Sequence, residues 1–207
     1  MLHELRNPIA AITTHIEVLL EENSGPLEAD LRALLAEVHR ISLGLDGVSG
    51  FVRSIRSRGT VSAGDTVEGA CRVLAPLAKR LGVELEVEVA PLPLLPFDRG
   101  VLSGLVFNLV KNAFDASKRG GRVRVVLSGE PTNRMVSLAV SDDGTGMSPE
   151  VLARCTDLFF TSKAKGSGIG LALCKRVAES SNGRLEIKSE LNRGTTVTVW
   201  LPMDAEG

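Results

Sequence analysis

His3 has a carboxylate and an amide close to it in the sequence. Glu4 follows it directly, and Asn7 lies four residues further on, which would place Asn7 on the same face of a helix. Imidazole is a competent nucleophile near neutral pH, and a neighbouring carboxylate can orient it or accept its proton. The pattern indicates either a reactive histidine or an ordinary solvated helix face. His15 and His39 have no such neighbours, and we interpret them as structural or surface residues.

A second group of polar residues interrupts an apolar segment. Asn108, Asn112 and Asp115 would share one face of a helix at positions i, i+4 and i+7. The residues of this segment that we expect to face a core are Leu105, Leu109, Ala113 and Ala116. Amides on such a helix need partners, because each unpaired buried group costs about 1–3 kcal/mol. Their oxygens suit Mg²⁺, which shares its remaining ligands with phosphates and water, and Lys111 could neutralise a phosphate.

A glycine-containing turn follows a predicted strand and begins with a carboxylate. Gly144 and Gly146 permit a tight turn and a close approach of the backbone to a ligand, and Met147 comes directly after them. The carboxylate of Asp142 at the strand end can accept a hydrogen bond from an exocyclic amine such as that of adenine. The alternative is an ordinary Asp–Gly turn.

Another glycine-rich stretch opens a predicted helix. Gly166, Gly168 and Gly170 would expose backbone amides that can cradle a phosphate. This is neither the Walker pattern nor the dinucleotide fingerprint, since Leu171 stands where the latter needs glycine. Residues 158–165 before it carry two aromatics followed by hydroxyls and lysines, which indicates a mobile lid over a nucleotide.

These motifs fall in two segments with different hydrophobic patterns. Over residues 1–57 the apolar residues recur at intervals of three and four, with a break at 23–26. Two helices joined by a short turn pack antiparallel, and two such hairpins from two chains would form a four-helix bundle. The alternative is a monomeric hairpin packed on the rest of the chain. Small polar residues over 58–66 are interpreted as a linker to a mixed α and β domain over 67–207.

Periodicity also predicts the elements of this second domain. We expect helices over 66–81, 98–118, 149–156 and 170–181, and strands over 83–89, 122–128, 135–141, 184–189 and 196–201. Asp98 is the predicted cap of the second helix, and Gly82 ends the first. The prolines at 91, 93 and 96 are expected to form a rigid connection.

Composition excludes several classes of protein. A net charge of −1 over 207 residues gives no electrostatic reason to expect nucleic acid or an anionic membrane as the main partner. No apolar run reaches the roughly 18 residues that a membrane helix needs. Cys71, Cys155 and Cys174 are odd in number and far apart, so they form neither a zinc pattern nor a disulfide framework and indicate a reducing compartment.

Taken together and in this order, the motifs resemble those of the sensor histidine kinases of two-component systems, over essentially the whole chain. Residues 3–8 resemble the family's H box, and 108–112 resemble its N box. The two glycine boxes match Asp142-x-Gly144-x-Gly146 and Gly166-x-Gly168-x-Gly170, and the F box matches Phe159-Phe160-Thr161. The stretches at 194–197 and 200–202 also fit. The short lid over 160–166 resembles the nitrogen-regulation branch of the family.

The resemblance implies an α+β architecture. Residues 1–57 would be an antiparallel two-helix hairpin for dimerisation and phosphotransfer, forming a four-helix bundle in the homodimer. The domain over 67–207 would be an α/β sandwich with a mixed sheet on one side and helices on the other, and it would bind ATP. We expect a cytoplasmic location, as the cytoplasmic part of a longer sensor protein.

The resemblance also implies residue roles in phosphoryl transfer. His3 would attack the γ-phosphate of ATP, Glu4 would act as base or orient the imidazole, and Asn7 would position water for dephosphorylation of a partner. That partner would be a response regulator, whose aspartate receives the phosphoryl group from His3. A catalytically weak, nucleotide-binding dimeric scaffold is the alternative. Related ATPases, such as chaperones and DNA-repair clamps, carry a glutamate where Asn108 stands.

At the nucleotide, Asp142 would bind the adenine amine, with a water shared with Thr195. Asn112 would ligate Mg²⁺, with Asn108 and Lys111 near the phosphates, and Lys163 would cover the triphosphate. The remaining residues expected to line the nucleotide site are Gly144, Gly146, Met147, Phe160, Thr161, Gly166, Gly168, Gly170 and Leu171.

Overall fold

The computed structural model describes Leu31, Leu34 and residues 60–158, 160–163 and 168–204. The chain divides into two units, Met1–Arg53 and Ser54–Gly207. In the first unit Leu31 and Leu34 are helical, as expected. The rest of the predicted hairpin, its dimer contacts, and the candidate catalytic residues His3, Glu4 and Asn7 lie outside the described residues. The predicted domain boundaries therefore stay a prediction.

The second unit is built on a five-stranded mixed sheet. Its strands, numbered in chain order, are β2 (Glu84–Val89), β4 (Arg122–Glu130), β5 (Met135–Asp142), β6 (Arg184–Glu190) and β7 (Gly194–Pro202). They lie side by side in the order β2-β4-β5-β7-β6. Strands β2 and β4 run parallel, and every other neighbouring pair is antiparallel. The mixed sheet confirms the predicted α+β fold class.

Among the residues of this unit that the structure describes, four helices accompany the sheet: α1 (Ala63–Leu81), α2 (Arg99–Ala116), α3 (Pro149–Arg154) and α4 (Gly170–Ser180). The capping predictions are confirmed for α1 and α2. Gly82 ends α1 with a left-handed φ of 70°, and the Asp98 carboxylate accepts hydrogen bonds from the first amides of α2. Helix α1 begins three residues earlier than predicted, because the Ser62 side chain caps it by accepting from the Asp65 N–H.

A two-stranded sheet was not predicted. Strand β1 (Val61–Ser62) pairs antiparallel with β3 (Leu94–Leu95), which lies inside the proline-rich connection. Two-residue strands show no alternation, so periodicity cannot reveal them. Leu95 is fully buried, so this pairing anchors the start of α1 and the approach to α2.

The core lies between one face of the sheet and helices α1, α2 and α4. Along β4, β5 and β7 alternate residues are buried, and α2 covers the central strands. The predicted apolar face of α2 is buried at Leu105, Leu109 and Ala113. Ala116 is only half-buried, which corrects its predicted core position, because α2 ends there. None of the helices in the described ranges is long and apolar enough to cross a bilayer.

Cys71, Cys155 and Cys174 are free thiols in the structure. Burial, with a smaller contribution from Glu68, raises the pKa of Cys71 to about 11, and burial raises that of Cys174 to about 12. Both therefore stay protonated and pack as small apolar side chains.

Candidate functional site

The polar face of α2 meets the start of α4. Asn108 donates its side-chain N–H to the carbonyl oxygen of Gly104, one turn earlier, at 2.9 Å. A Cβ atom at Gly170 would lie 3.2 Å from Asn108 Oδ1 and 3.5 Å from Asn112 Nδ2. Glycine therefore lets the backbone of α4 approach both amides closely. The structure thus brings three predicted site residues together.

Helix α4 also differs from the other helices at its start. The side chains of Ser62, Asp98 and Ser148 cap α1, α2 and α3, whereas Ile169 provides no side-chain hydrogen bond to α4. The first backbone N–H groups of a helix have no intrahelical partner, and together with the helix dipole they attract anions. The start of α4 thus suits a phosphate, as the second glycine motif predicts. Gly166 lies outside the described residues.

Lys163 is held against the polar face of α2. Its ammonium group lies 3.2 Å from Asp115 Oδ2 and 3.5 Å from Asn112 Oδ1. Its backbone is held by Thr161, whose Oγ1 accepts from the Lys163 N–H at 3.1 Å and donates to the Lys163 carbonyl at 3.3 Å. A positive charge therefore lies beside the amide predicted to bind Mg²⁺. Lys111 is exposed and takes no part in these contacts.

Phe160 is fixed to the end of α3. The Arg154 guanidinium lies 4.4 Å from the centre of its ring, and the Phe160 N–H donates to the carbonyl of Asp157 at 3.2 Å. Arg154 also forms an ion pair with Asp157. These contacts fix the position of Phe160, which directly precedes Thr161 in the chain and so helps to place Lys163.

Asp142 lies half-buried at the end of β5, with its carboxylate on the helix-facing side. It accepts hydrogen bonds from the backbone N–H of Gly144, at 2.9 Å, and from that of Thr195. Burial raises the pKa of Asp142 above its usual value, and these hydrogen bonds and the Lys163 charge only partly offset that effect. A desolvated carboxylate of this kind gains most from a ligand that donates a hydrogen bond.

The loop after Asp142 is held between two other parts of the fold. The Thr145 N–H donates to the carbonyl of Ala116, the last residue of α2, and the Thr145 carbonyl accepts from the Asn192 N–H in the β6–β7 turn. A Cβ atom at Gly144 would overlap the Ala116 carbonyl oxygen. One at Gly146, whose φ is +60°, would overlap the carbonyl oxygen of Glu190 at the end of β6. The loop geometry therefore requires both glycines.

Two residues of the site were not predicted. Asp143 Oδ1 accepts from the Arg122 N–H at 2.9 Å and so ties the end of β5 to the start of β4. The sequence Asp142-Asp143 does not reveal which carboxylate faces the site. Ser189 Oγ accepts from the Met147 N–H at 2.8 Å. The sequence does contain one indication of this position. Side chains alternate along a strand, so Ser189 is expected on the same side of β6 as Leu185 and Ile187.

Comparison with known proteins identifies related chains. Residues 98–205 match the family model of the histidine kinase-, DNA gyrase B-, and HSP90-like ATPases. The chain is 34% identical to the histidine protein kinase DivJ of Caulobacter vibrioides, over 98% of this chain and 36% of DivJ. It is 29% identical to sporulation kinase D of Bacillus subtilis, over 98% of this chain and 40% of that protein. The chain thus spans well under half the length of both relatives.

Solved structures show the same fold. Full-length ShkA in complex with AMPPNP matches with a TM-score of 0.70 and 25% identity, over 99% of this chain and 45% of ShkA. The mycobacterial sensor histidine kinase MprB matches with a TM-score of 0.61 and 28% identity, over 70% of this chain and 97% of MprB.

Proposed function

The chain belongs to the histidine kinase-, DNA gyrase B-, and HSP90-like ATPases, and among them to the sensor histidine kinases; from this membership we propose that it binds ATP at the site described and transfers the γ-phosphate to His3. The observation that carries the proposal is the contact of the start of α4 with the amides of α2, together with Lys163, which lies on the same face of α2 and whose charge acts on the Asp142 carboxylate. The groups that would serve the nucleotide are therefore the half-buried Asp142 carboxylate, the start of α4 and the amides of α2.

Each of these groups suits one part of the nucleotide. The Asp142 carboxylate would accept a hydrogen bond from the adenine amine. The uncapped amides of α4 and the Lys163 ammonium would bind phosphate oxygens. Asn112, with Asn108 beside it, offers the amide oxygen that would hold Mg²⁺. When bound, the metal would neutralise negative charge on the phosphates.

Asn108 favours phosphoryl transfer over hydrolysis. In the related ATPases of this fold a glutamate at the corresponding position activates water. An amide has no proton-accepting group of suitable basicity, and the Asn108 amide N–H is already donated to Gly104. Without a base at this position, water is poorly activated, and the γ-phosphate remains available to another nucleophile.

His3 is the nucleophile that we assign, with Glu4 as the base that orients or deprotonates it. Residues 1–57 would form the homodimer, and an aspartate of a response regulator would receive the phosphoryl group. We place this reaction in the cytoplasm, where ATP and Mg²⁺ are available. The relative named as a histidine protein kinase, DivJ, supports these assignments by similarity.

The test is transfer of label from radioactive ATP to the protein. Phosphohistidine is labile in acid and stable in base, and we expect His3→Gln to abolish this label while ATP affinity changes by less than about threefold. The matched controls are His15→Gln and His39→Gln, which should keep the label. Loss of label in a control, with retention in His3→Gln, would contradict the assignment. Tight ATP binding by the wild-type chain without any label would favour the scaffold alternative.

Asn7 is the residue that we assign to dephosphorylation of the regulator. An amide is neutral and can orient water by donating and accepting hydrogen bonds without repelling phosphate. Asn7→Ala should therefore keep autophosphorylation and lose the release of phosphate from the phosphorylated regulator. Parallel loss of both activities with a lower melting temperature would instead show a structural role, for instance easing the helix past Pro8.

A further inference from the structure

We propose that Ser189 determines base specificity: it fixes the direction of the Thr195 hydroxyl proton, so that the site accepts adenine and rejects guanine. The proposal rests on the proposed nucleotide function and concerns the end of the site that would hold the base. Its basis is the pattern of donors and acceptors on three neighbouring strands.

Strand register places three polar side chains at one level of the sheet. Thr195 on β7 is the partner of Asp142 on β5 and also of Ser189 on β6. Side chains alternate along a strand, and buried Val140 and Val197 lie two residues from Asp142 and Thr195. Asp142 and Thr195 therefore face the helices side by side, and Ser189 contacts Thr195 directly on that side.

Ser189 has three polar neighbours within hydrogen-bonding distance. Its Oγ lies 2.8 Å from the Met147 nitrogen, 3.1 Å from the Gly194 carbonyl oxygen and 2.9 Å from Thr195 Oγ1. Thr195 itself is buried, with 8% of its surface exposed. The hydroxyl pair is therefore held inside the fold, where unmade hydrogen bonds are costly.

A count of protons assigns the direction of each bond. A hydroxyl group has one proton to donate and two lone pairs to accept with. The Met147 N–H can only donate, and the Gly194 carbonyl can only accept. If Ser189 donated its proton to Thr195, neither Ser189 nor the Gly194 carbonyl would have a proton for the contact between them. All three bonds form together only when Ser189 donates to Gly194 and Thr195 donates to Ser189.

The consequence is that Thr195 offers only lone pairs on its remaining side. The neighbouring Asp142 carboxylate, while ionised, also accepts only. Adenine carries a donor, its amine, at the position where guanine carries the acceptor O6. We place the base in direct contact with both side chains, without the shared water that the resemblance implies. The amine would then meet two acceptors, whereas O6 would meet two groups unable to donate to it. Rejection of guanine follows from this unpaired, repulsive contact.

The test is the ratio of the dissociation constants for GTP and ATP, measured by calorimetry. Ser189→Ala releases the Thr195 proton, which can then turn to O6, so the ratio should fall by about two- to twelvefold, the worth of one hydrogen bond. Ser189→Thr keeps the hydroxyl and should keep the ratio. A merely structural role would weaken both nucleotides together and leave the ratio unchanged.

Thr195→Val tests the same contact from the other side. It removes the acceptor, so the ratio should again fall, and adding Ser189→Ala to it should change the ratio no further. An unchanged ratio in either single variant, with tight ATP binding, would overturn the role of Ser189, as would a further fall in the double variant. A folded wild-type chain that binds neither nucleotide would instead refute the proposed function. Fluorescence of Trp200, the single tryptophan of the chain, confirms that each variant is folded.

Discussion

Asp142→Asn removes one charge and preserves the shape of the side chain. Its amide oxygen can keep the hydrogen bond from the Gly144 N–H, now 2.9 Å from the carboxylate. What is lost is the charge-assisted bond to the adenine amine, worth about 1.5–3 kcal/mol. We therefore expect ATP to bind about 10- to 150-fold more weakly.

Folding should respond differently from binding. Burial raises the pKa of Asp142 in the folded chain, so the unfolded chain loses this proton at a lower pH than the folded one. The ionised carboxylate consequently reduces stability as pH rises through the interval between the two pKa values, and the full cost remains at neutral pH. Asp142→Asn removes that cost, and its melting temperature at pH 7 should be no lower than that of the wild type.

The assay is binding of adenosine as a function of pH, since adenosine has no phosphate groups that titrate. Protonated Asp142 cannot offer two carboxylate acceptors, so wild-type affinity should fall as pH falls through the raised pKa. The affinity of Asp142→Asn should be low and independent of pH over the same range. Equal adenosine affinity in the two proteins, or equal pH dependence, would refute the role of Asp142.

Three further variants, one of them with a matched control, test other contacts. Asp115→Asn frees Lys163 for phosphate and should tighten Mg·ATP binding by up to about fivefold at low salt, which is the worth of an exposed ion pair. The difference should vanish at high salt. Weaker binding by the variant would show instead that the ion pair supports the site. Gly146→Ala adds left-handed strain of about 1–2 kcal/mol to a steric overlap, so its midpoint of unfolding in urea should be lower than that of the wild type. The control Gly69→Ala in α1 meets open space, and its free energy of unfolding should rise by about 0.5–1 kcal/mol. Asp98→Ala should lower the free energy of unfolding by about 0.5–2 kcal/mol through loss of the α2 cap, with ATP affinity unchanged.

Long elements with clear periodicity could be predicted from the sequence. Strand β5 alternates between half-buried and buried residues from Met135 to Ser141, and α2 combines an apolar face with the capping residue Asp98. These are local patterns, so a single sequence contains them. The separation of Asn108 and Asn112 by one turn likewise follows from helix geometry, and the structure places both at the start of α4.

Contacts that depend on tertiary structure could not be predicted in this way. The pairing of Val61 with Leu95 joins residues 34 positions apart through strands too short to show a pattern. The ion pair between Lys163 and Asp115 crosses from one element to another. The role of Ser189 depends on the register of three strands, which the sequence does not specify. Each of these required the fold to be known.

Two separate constraints determine the length of the β6–β7 turn. It sets the register between Ser189 and Thr195, so one added residue would turn every following side chain of β7 to the opposite face. The turn also holds the loop after Asp142, because its Asn192 N–H donates a hydrogen bond to the Thr145 carbonyl. Although Leu191 is exposed at its tip, this turn cannot accept insertions as surface loops ordinarily do. The β4–β5 connection at Pro131–Asn133, at the other end of the sheet, is where natural variation in chain length can be accommodated without reaching the site.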